Sequence, residues 1–266
     1  MVLGRGTKLA LRIATIATLI FVYVPIGLII LYSFNSARVA SWPIQGLTLD
    51  WYARALSNPG IRAALLTSLQ AGVGATLVAL VLGSLVAFAV QRYSFFGRQT
   101  LSFVVVLPLA LPGIVTGIAL NTALRAVGFD FGLMTIIVGH ATFCVVVVFN
   151  NVIARLRRLQ PNAEEASMDL GADTFWTFRR ITFPAIRTAL LAGALLAFAL
   201  SFDEIIVTNF TAGASVQTLP IWIFTNYQRP NNLPLVNVAA VFVLILSIVP
   251  VYLASRLTSG VESTGR

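Results

Sequence analysis

Long apolar runs alternate with short polar ones along this chain, and the runs have membrane-span lengths. Six stretches, 13–32, 64–90, 101–122, 131–153, 189–208 and 235–255, match the roughly 20 residues that cross a hydrocarbon core. The fifth is impure, because Asp203 and Glu204 stand near its far end. Lipid offers no partner to an exposed backbone N–H or C=O, and no segment alternates like a barrel strand, so all six are predicted as helices. The expectation is an all-α integral membrane protein with six transmembrane helices and one transmembrane domain over 1–266. The longest polar segments are too short for an independent core.

Small and irregular residues refine that picture. Ala75, Ala79, Gly83 and Ala87 recur every four residues in the second run, and Ala189, Gly193 and Ala197 do so in the fifth. Such stripes lie on one helix face and let another backbone approach closely. The third run holds Pro108, Pro112, Gly113 and Gly117. Proline removes a donor and bends a helix, so this run reads either as a kinked packing helix or as one broken at membrane depth. Broken backbone there is tolerated where it is buried or lines a watery cavity. Trp42, Trp51 and Tyr52, between the first two runs, read as membrane-interface aromatics. The segment 209–234, with Gly213, Pro220, Pro230 and Pro234, reads as an outer loop with one short helix.

Composition agrees: 58% of residues are hydrophobic and 10% charged, against roughly 25% charged in soluble domains. The net charge of +9 raises the idea of nucleic acid, which its distribution rejects. With the N-terminus inside, Arg5, Lys8, Arg12, Arg92, Arg98, Arg155, Arg157, Arg158, Arg179, Arg180, Arg187, Arg256 and Arg266 fall on the cytoplasmic side. Arg38, Arg54, Arg62, Arg125 and Arg229 fall outside. That is the positive-inside bias, with both termini cytoplasmic. The first apolar run exceeds a signal-peptide core and is read as an uncleaved span. One cysteine, Cys144, and one histidine, His140, leave no metal cluster to argue for. Cys144 reads as buried packing, and His140 as a hydrogen-bonded packing residue in preference to a proton relay. No cofactor is expected. The single lysine, Lys8, stands at the N-terminal edge, so no P-loop lysine is available and any ATP chemistry must come from another chain.

The polar interruption is 164–184, EEASMDLGADTFWTFRRITFP. Pro161 with Glu164 and Glu165 makes a good helix start, acids at the positive end of the macrodipole. Gly171 is a natural residue past the helix end. A second short helix, from Thr174 to Arg180, is expected to stop before Pro184. From the residues alone this is a solvated loop with charge pairs or a helix–turn–helix knob that docks a partner. The pattern Glu165, Ala166, Ser167, Gly171, Ile181, Phe183 and Pro184 resembles the EAA loop of ABC-importer permeases, with Ser167 for the second alanine and Phe183 for leucine. The Pro108–Pro112–Gly113 spacing resembles the third span of the same family. The resemblance runs from residue 64 to the end and implies the type I, MetI-like six-helix permease fold. It also implies that 154–188 is a cytoplasmic coupling loop gripped by ATPase subunits through Glu164, Glu165, Ala166, Asp169, Gly171, Ala172 and Pro184. The partners it implies are a second permease subunit, two ABC ATPases and an extracytoplasmic solute-binding protein, in a bacterial inner membrane.

Acids inside a span are costly and usually face a pathway. Asp203 and Glu204, if helical, project about 100° apart, so one of them is expected to face the pathway. Alternatively the span ends early and both are wetted. Ser201-Phe202-Asp203-Glu204 resembles the corresponding segment of spermidine and putrescine permeases. Phe202 and Tyr227 join the acids as expected substrate-pathway residues, since aromatic faces and carboxylates complement a polycation. Other readings are the same machine with another solute (an amino-acid derivative, opine, aminophosphonate or ferric iron), or a self-contained channel or carrier.

Overall fold

The computed structural model describes residues 4–39, 41–159, 162–229 and 233–262, with side chains through Leu257. Pro161, assigned above to a helix start, and Pro230 and Asn232 lie outside the described residues. The helices are α1 (Arg5–Ser33), α2 (Asp50–Ser57), α3 (Pro59–Arg92), α4 (Arg98–Ala110), α5 (Gly113–Ala126), α6 (Leu133–Arg158), α7 (Asn162–Asp169), α8 (Thr174–Thr177), α9 (Phe183–Phe202), α10 (Ile206–Thr211), α11 (Leu219–Tyr227) and α12 (Leu233–Glu262). α1, α3, α6, α12 and the stretch Thr174–Phe202 are long and apolar enough to cross a membrane. The bent pair α4 and α5 supplies a sixth crossing if counted as one span. Lys8 lies within α1.

The third run is broken, which settles its two sequence readings. α4 and α5 meet at 109° across Leu111 and Pro112. Pro112 lacks the N–H that would continue the helix, and its own carbonyl accepts from the N–H groups of Val115 and Thr116 to start α5.

The chain resolves into two compact units, 1–62 with 222–242 and 63–221 with 243–266. In the first unit, Trp51 is buried and donates its indole N–H to the carbonyl of Asn35 at 2.8 Å. The hydroxyls of Tyr52 and Ser33 lie 2.7 Å apart. These two aromatics therefore pack the unit, and only Trp42 is exposed as an interface residue would be.

In the second unit α6 is the central post. Ala75, Ala79 and Ala87 of α3 are fully buried, and a Cβ on Gly83 would meet the carbonyl of Val145 at 2.8 Å. On the other flank, a Cβ on Gly193 of α9 would lie 3.3 Å from the Cα of Val148. Val148 thus sits between two glycines, one from each neighbour. Close approach replaces hydrophobic driving force here, because lipid is as apolar as the side chains it would lose.

Candidate functional site

Two places carry chemistry: the polar knob after α6 and the break after α9. The knob begins with α7, whose first turn holds Glu164 and Glu165. It ends in a Schellman cap: Ala172 N–H donates to Ser167 C=O at 3.1 Å and Gly171 N–H to Met168 C=O at 2.9 Å. Gly171 has φ +86°, the left-handed conformation that suits glycine. Asp173 then caps α8, its carboxylate accepting from Trp176 N–H at 2.6 Å. The hydroxyls of Ser167 and Thr177 lie 2.9 Å apart and buried, joining the knob's two arms.

The second arm does not stop before Pro184, contrary to the sequence expectation. After α8 the chain makes a π turn over Phe178–Thr182 and runs on as α9, with Pro184 in its first turn. Phe183 N–H reaches back five residues to Phe178 C=O. Proline has no N–H for Arg180 C=O, and a widened turn absorbs the mismatch. The knob and the fifth span are therefore one continuous helical rod.

The predicted knob residues separate into two groups. Glu165, Ala166, Asp169, Gly171 and Pro184 are exposed, and Ala172 is half-buried. Ala166, Gly171 and Ala172 line an open groove of about 610 Å³ with Leu170, Trp176 and Ile181. Leu170 is 90% exposed at its lip. Glu164 instead turns inward: it pairs with Arg92 at the end of α3 and accepts from the Thr182 hydroxyl at 2.8 Å. Reading the sequence missed Arg92, Thr182, Leu170 and Trp176. Only the apolar tip at Leu170 carried a local signal, a large hydrophobe beside a turn glycine.

At the other end of α9, about 30 Å along the helix at 1.5 Å per residue, the rod breaks. α9 ends at Phe202 and α10 starts at Ile206, so Asp203 and Glu204 are not helical neighbours. The expected 100° divergence does not apply; the break itself sends the carboxylates different ways. The Glu204 carboxylate caps α10, accepting from Val207 N–H at 2.9 Å. Asp203 is exposed and its carboxylate has no hydrogen-bond or ion-pair partner among the described residues. It stands at the C-terminal end of α9, where unpaired carbonyls add partial negative charge.

The helix of the fifth run ends at Phe202, short of the expected 208, so the break follows the membrane-length stretch Thr174–Phe202. Ser201 and Thr208 both bond His140, the eighth residue of α6, which places the break about 10 Å in from the start of that helix. It also abuts the break in the third run. A Cβ on Gly113 would lie 3.5 Å from Ile206, and one on Gly117 would overlap the ring of Phe210. Asn121 donates to the Phe210 carbonyl. The Gly113–Gly117–Asn121 stripe of α5 is thus the bed for α10.

Phe202 is buried at 1% exposure, stacked on Phe198 with centroids 5.7 Å apart, so it packs α9 and is not offered to a solute by this chain. Tyr227, on α11, is exposed. Cys144 is buried and donates to Ala197 C=O, as a packing thiol. Among the described residues no group of acids, histidine and cysteine is arranged to hold a metal.

With this geometry in hand, comparison with known proteins is specific. Residues 79–262 match the family model described as the binding-protein-dependent transport system inner membrane component. The chain is 34% identical over 248 residues to the putrescine transport system permease protein PotI of Escherichia coli, covering 89% of this chain and 87% of the relative. It is 34% identical over 246 residues to the spermidine/putrescine transport system permease protein PotC of Escherichia coli, covering 92% of each. A putative 2-aminoethylphosphonate transport system permease protein of Salmonella typhimurium is 27% identical over 229 residues, 85% of this chain and 86% of that protein. In fold, the chain is similar to a subunit of a bacterial ABC transporter that imports the acidic polysaccharide alginate, with TM-score 0.70, 16% identity and coverage of 95% and 94%. It is also similar to the methionine ABC transporter in an inward-facing conformation, with TM-score 0.61, 17% identity and coverage of 81% and 99%.

Proposed function

The chain belongs to the family of binding-protein-dependent transport system inner membrane components, and on that premise we propose that this ABC-importer permease forms half of a pathway for a polyamine, spermidine or putrescine. The observation that carries the proposal is the unpaired Asp203 carboxylate, set in the helix break that ends the membrane-length stretch Thr174–Phe202. A polycation sheds water there only if fixed negative charge replaces it, and a carboxylate at a helix C-terminus supplies that charge. Two relatives at 34% identity bear names that specify putrescine or spermidine.

In this reading a second permease subunit completes the pathway and a solute-binding protein delivers the polyamine from outside. Two separate ATPase subunits bind the knobs from the cytoplasm, where both termini also lie. Closure of the ATPases pushes the groove around Gly171. Because the knob is continuous with α9, the push travels along one rod to the break at Asp203. Hydrolysis resets the pair inward. The membrane is a bacterial inner membrane in this reading, and the family description supports it in naming an inner membrane component.

Reconstitution tests it. The tagged chain, captured from native membranes with whatever co-purifies, is placed in liposomes with loaded solute-binding protein. ATP-dependent uptake of spermidine or putrescine is expected. ATP-dependent uptake of 2-aminoethylphosphonate without polyamine uptake would move the assignment to the branch of the Salmonella relative. Uptake by the chain alone would make it a self-contained channel.

A further inference from the structure

His140 is fully buried on α6 and does a job that no packing argument requires. Its Nδ1 lies 2.7 Å from the Ser201 hydroxyl, in the last turn of α9. Its Nε2 lies 2.7 Å from the Thr208 hydroxyl, in α10. The ring therefore bridges the two sides of the break that holds Asp203 and Glu204. Thr208 donates its own hydroxyl hydrogen to the Glu204 carbonyl at 2.8 Å. That commits the Thr208 oxygen to accept from the ring, so Nε2 carries the hydrogen and Nδ1 accepts from Ser201. A neutral imidazole in this tautomer satisfies every polar atom of the cluster.

Across the break the backbone gives little support. Asp203 and Glu204 N–H groups reach Ala199 and Ser201 carbonyls at 3.3 and 3.4 Å, and regular bonding resumes with Asn209 to Ile205 at 3.0 Å. Beside the ring, Gly139 brings α6 against Val207 and Thr211, where a Cβ would lie 3.1 Å from each. α10 is thus seated on α6 by a glycine and pinned there by the imidazole.

We propose that His140 is a positioning residue that clamps the α9–α10 break and so aims the Asp203 carboxylate at the solute. The proposal rests on the reading that Asp203 meets the solute. Phenylalanine keeps the ring's bulk and loses both bonds; Thr208→Val is isosteric and loses one arm; Thr208→Ser keeps it. The readout is the number of polyamine molecules imported per ATP hydrolysed by the reconstituted complex, alongside the ATPase rate stimulated by loaded binding protein.

His140→Phe and Thr208→Val are expected to lower the import-to-hydrolysis ratio at least fivefold while stimulated hydrolysis stays within twofold of the parent. Thr208→Ser should restore the ratio. In an Asp203→Asn background the same changes should add less than twofold, because their target is already lost. If His140→Phe fails to accumulate, Thr208→Val and Ser201→Ala decide the matter alone. Three outcomes overturn the clamp: an unchanged ratio in Thr208→Val, a fall in hydrolysis as large as the fall in import, or full multiplicative losses on top of Asp203→Asn. A silent Asp203→Asn instead overturns the substrate-site reading on which the clamp rests.

Discussion

Glu164 in α7 and Arg92 at the end of α3 form an ion pair across 72 positions of sequence. Both side chains are mostly shielded, at 17% and 29% exposure. The pair ties the knob to a neighbouring span, and Thr182 adds a bond from the π turn. Glu164 is thus a strut of the knob, while Glu165 beside it is exposed.

Removing the strut should loosen the knob. Glu164→Ala leaves Arg92 without its carboxylate and is expected to cost about 1–3 kcal/mol. Thermal unfolding of the detergent-solubilised protein should show it, as should faster proteolysis around residues 159–173. The exchange Arg92→Glu with Glu164→Arg should recover part of the loss, since the two sites are coupled. Equal stability of Glu164→Ala and parent would mean that the pair contributes nothing.

Gly171 and Leu170 separate conformation from contact. Gly171 sits in open space, so a substitution there meets no clash and only the backbone objects. Gly171→Ala should cost about 1–2 kcal/mol from the left-handed conformation, and Gly171→Asn distinctly less. Leu170→Asp should cost almost no stability, because the side chain packs on nothing. It should nevertheless release the ATPase, as loss of an exposed apolar anchor does in an interface. Retention of ATPase by Leu170→Asp on affinity pull-down would remove the groove from the docking surface.

Asp203 and Glu204 should differ in kind. Asp203→Asn removes an unpaired charge and is expected to depress polyamine uptake at least tenfold with normal protein levels. Glu204→Gln keeps an oxygen for Val207 N–H and should be nearly silent. Glu204→Ala should lose about 1 kcal/mol of stability with the cap. Uptake at the parental rate by a folded Asp203→Asn variant would shift the solute away from a cation.

Orientation has its own check. In a Cys144→Ser background, single cysteines at Asn162 and at Asp130 should label from opposite faces. Asn162 is expected on the cytoplasmic face. Labelling of both from outside would invert the coupling argument.

Several features were legible in the sequence because they are local or compositional. Apolar length determined the spans, since transfer to lipid depends on a segment's own residues. Gly171 announced the helix cap, because only a residue tolerant of φ +86° closes a Schellman turn cheaply. Small residues every four positions announced the faces of α3 and α9 that meet α6. Pro112 marked the third span as irregular without choosing between a kink and a break. Tertiary structure alone decided the rest. That Glu164 faces Arg92, that α10 lies in the glycine bed of α5, and that His140 bridges Ser201 and Thr208 are meetings of residues 61 to 93 positions apart. No periodicity encodes them. Which of Asp203 and Glu204 keeps an unpaired carboxylate was decided the same way: both are acids in one apolar run, and the start of α10 occupies one of them. A helix ends where its backbone bonds find a better partner, and that partner is known only once the chain has folded.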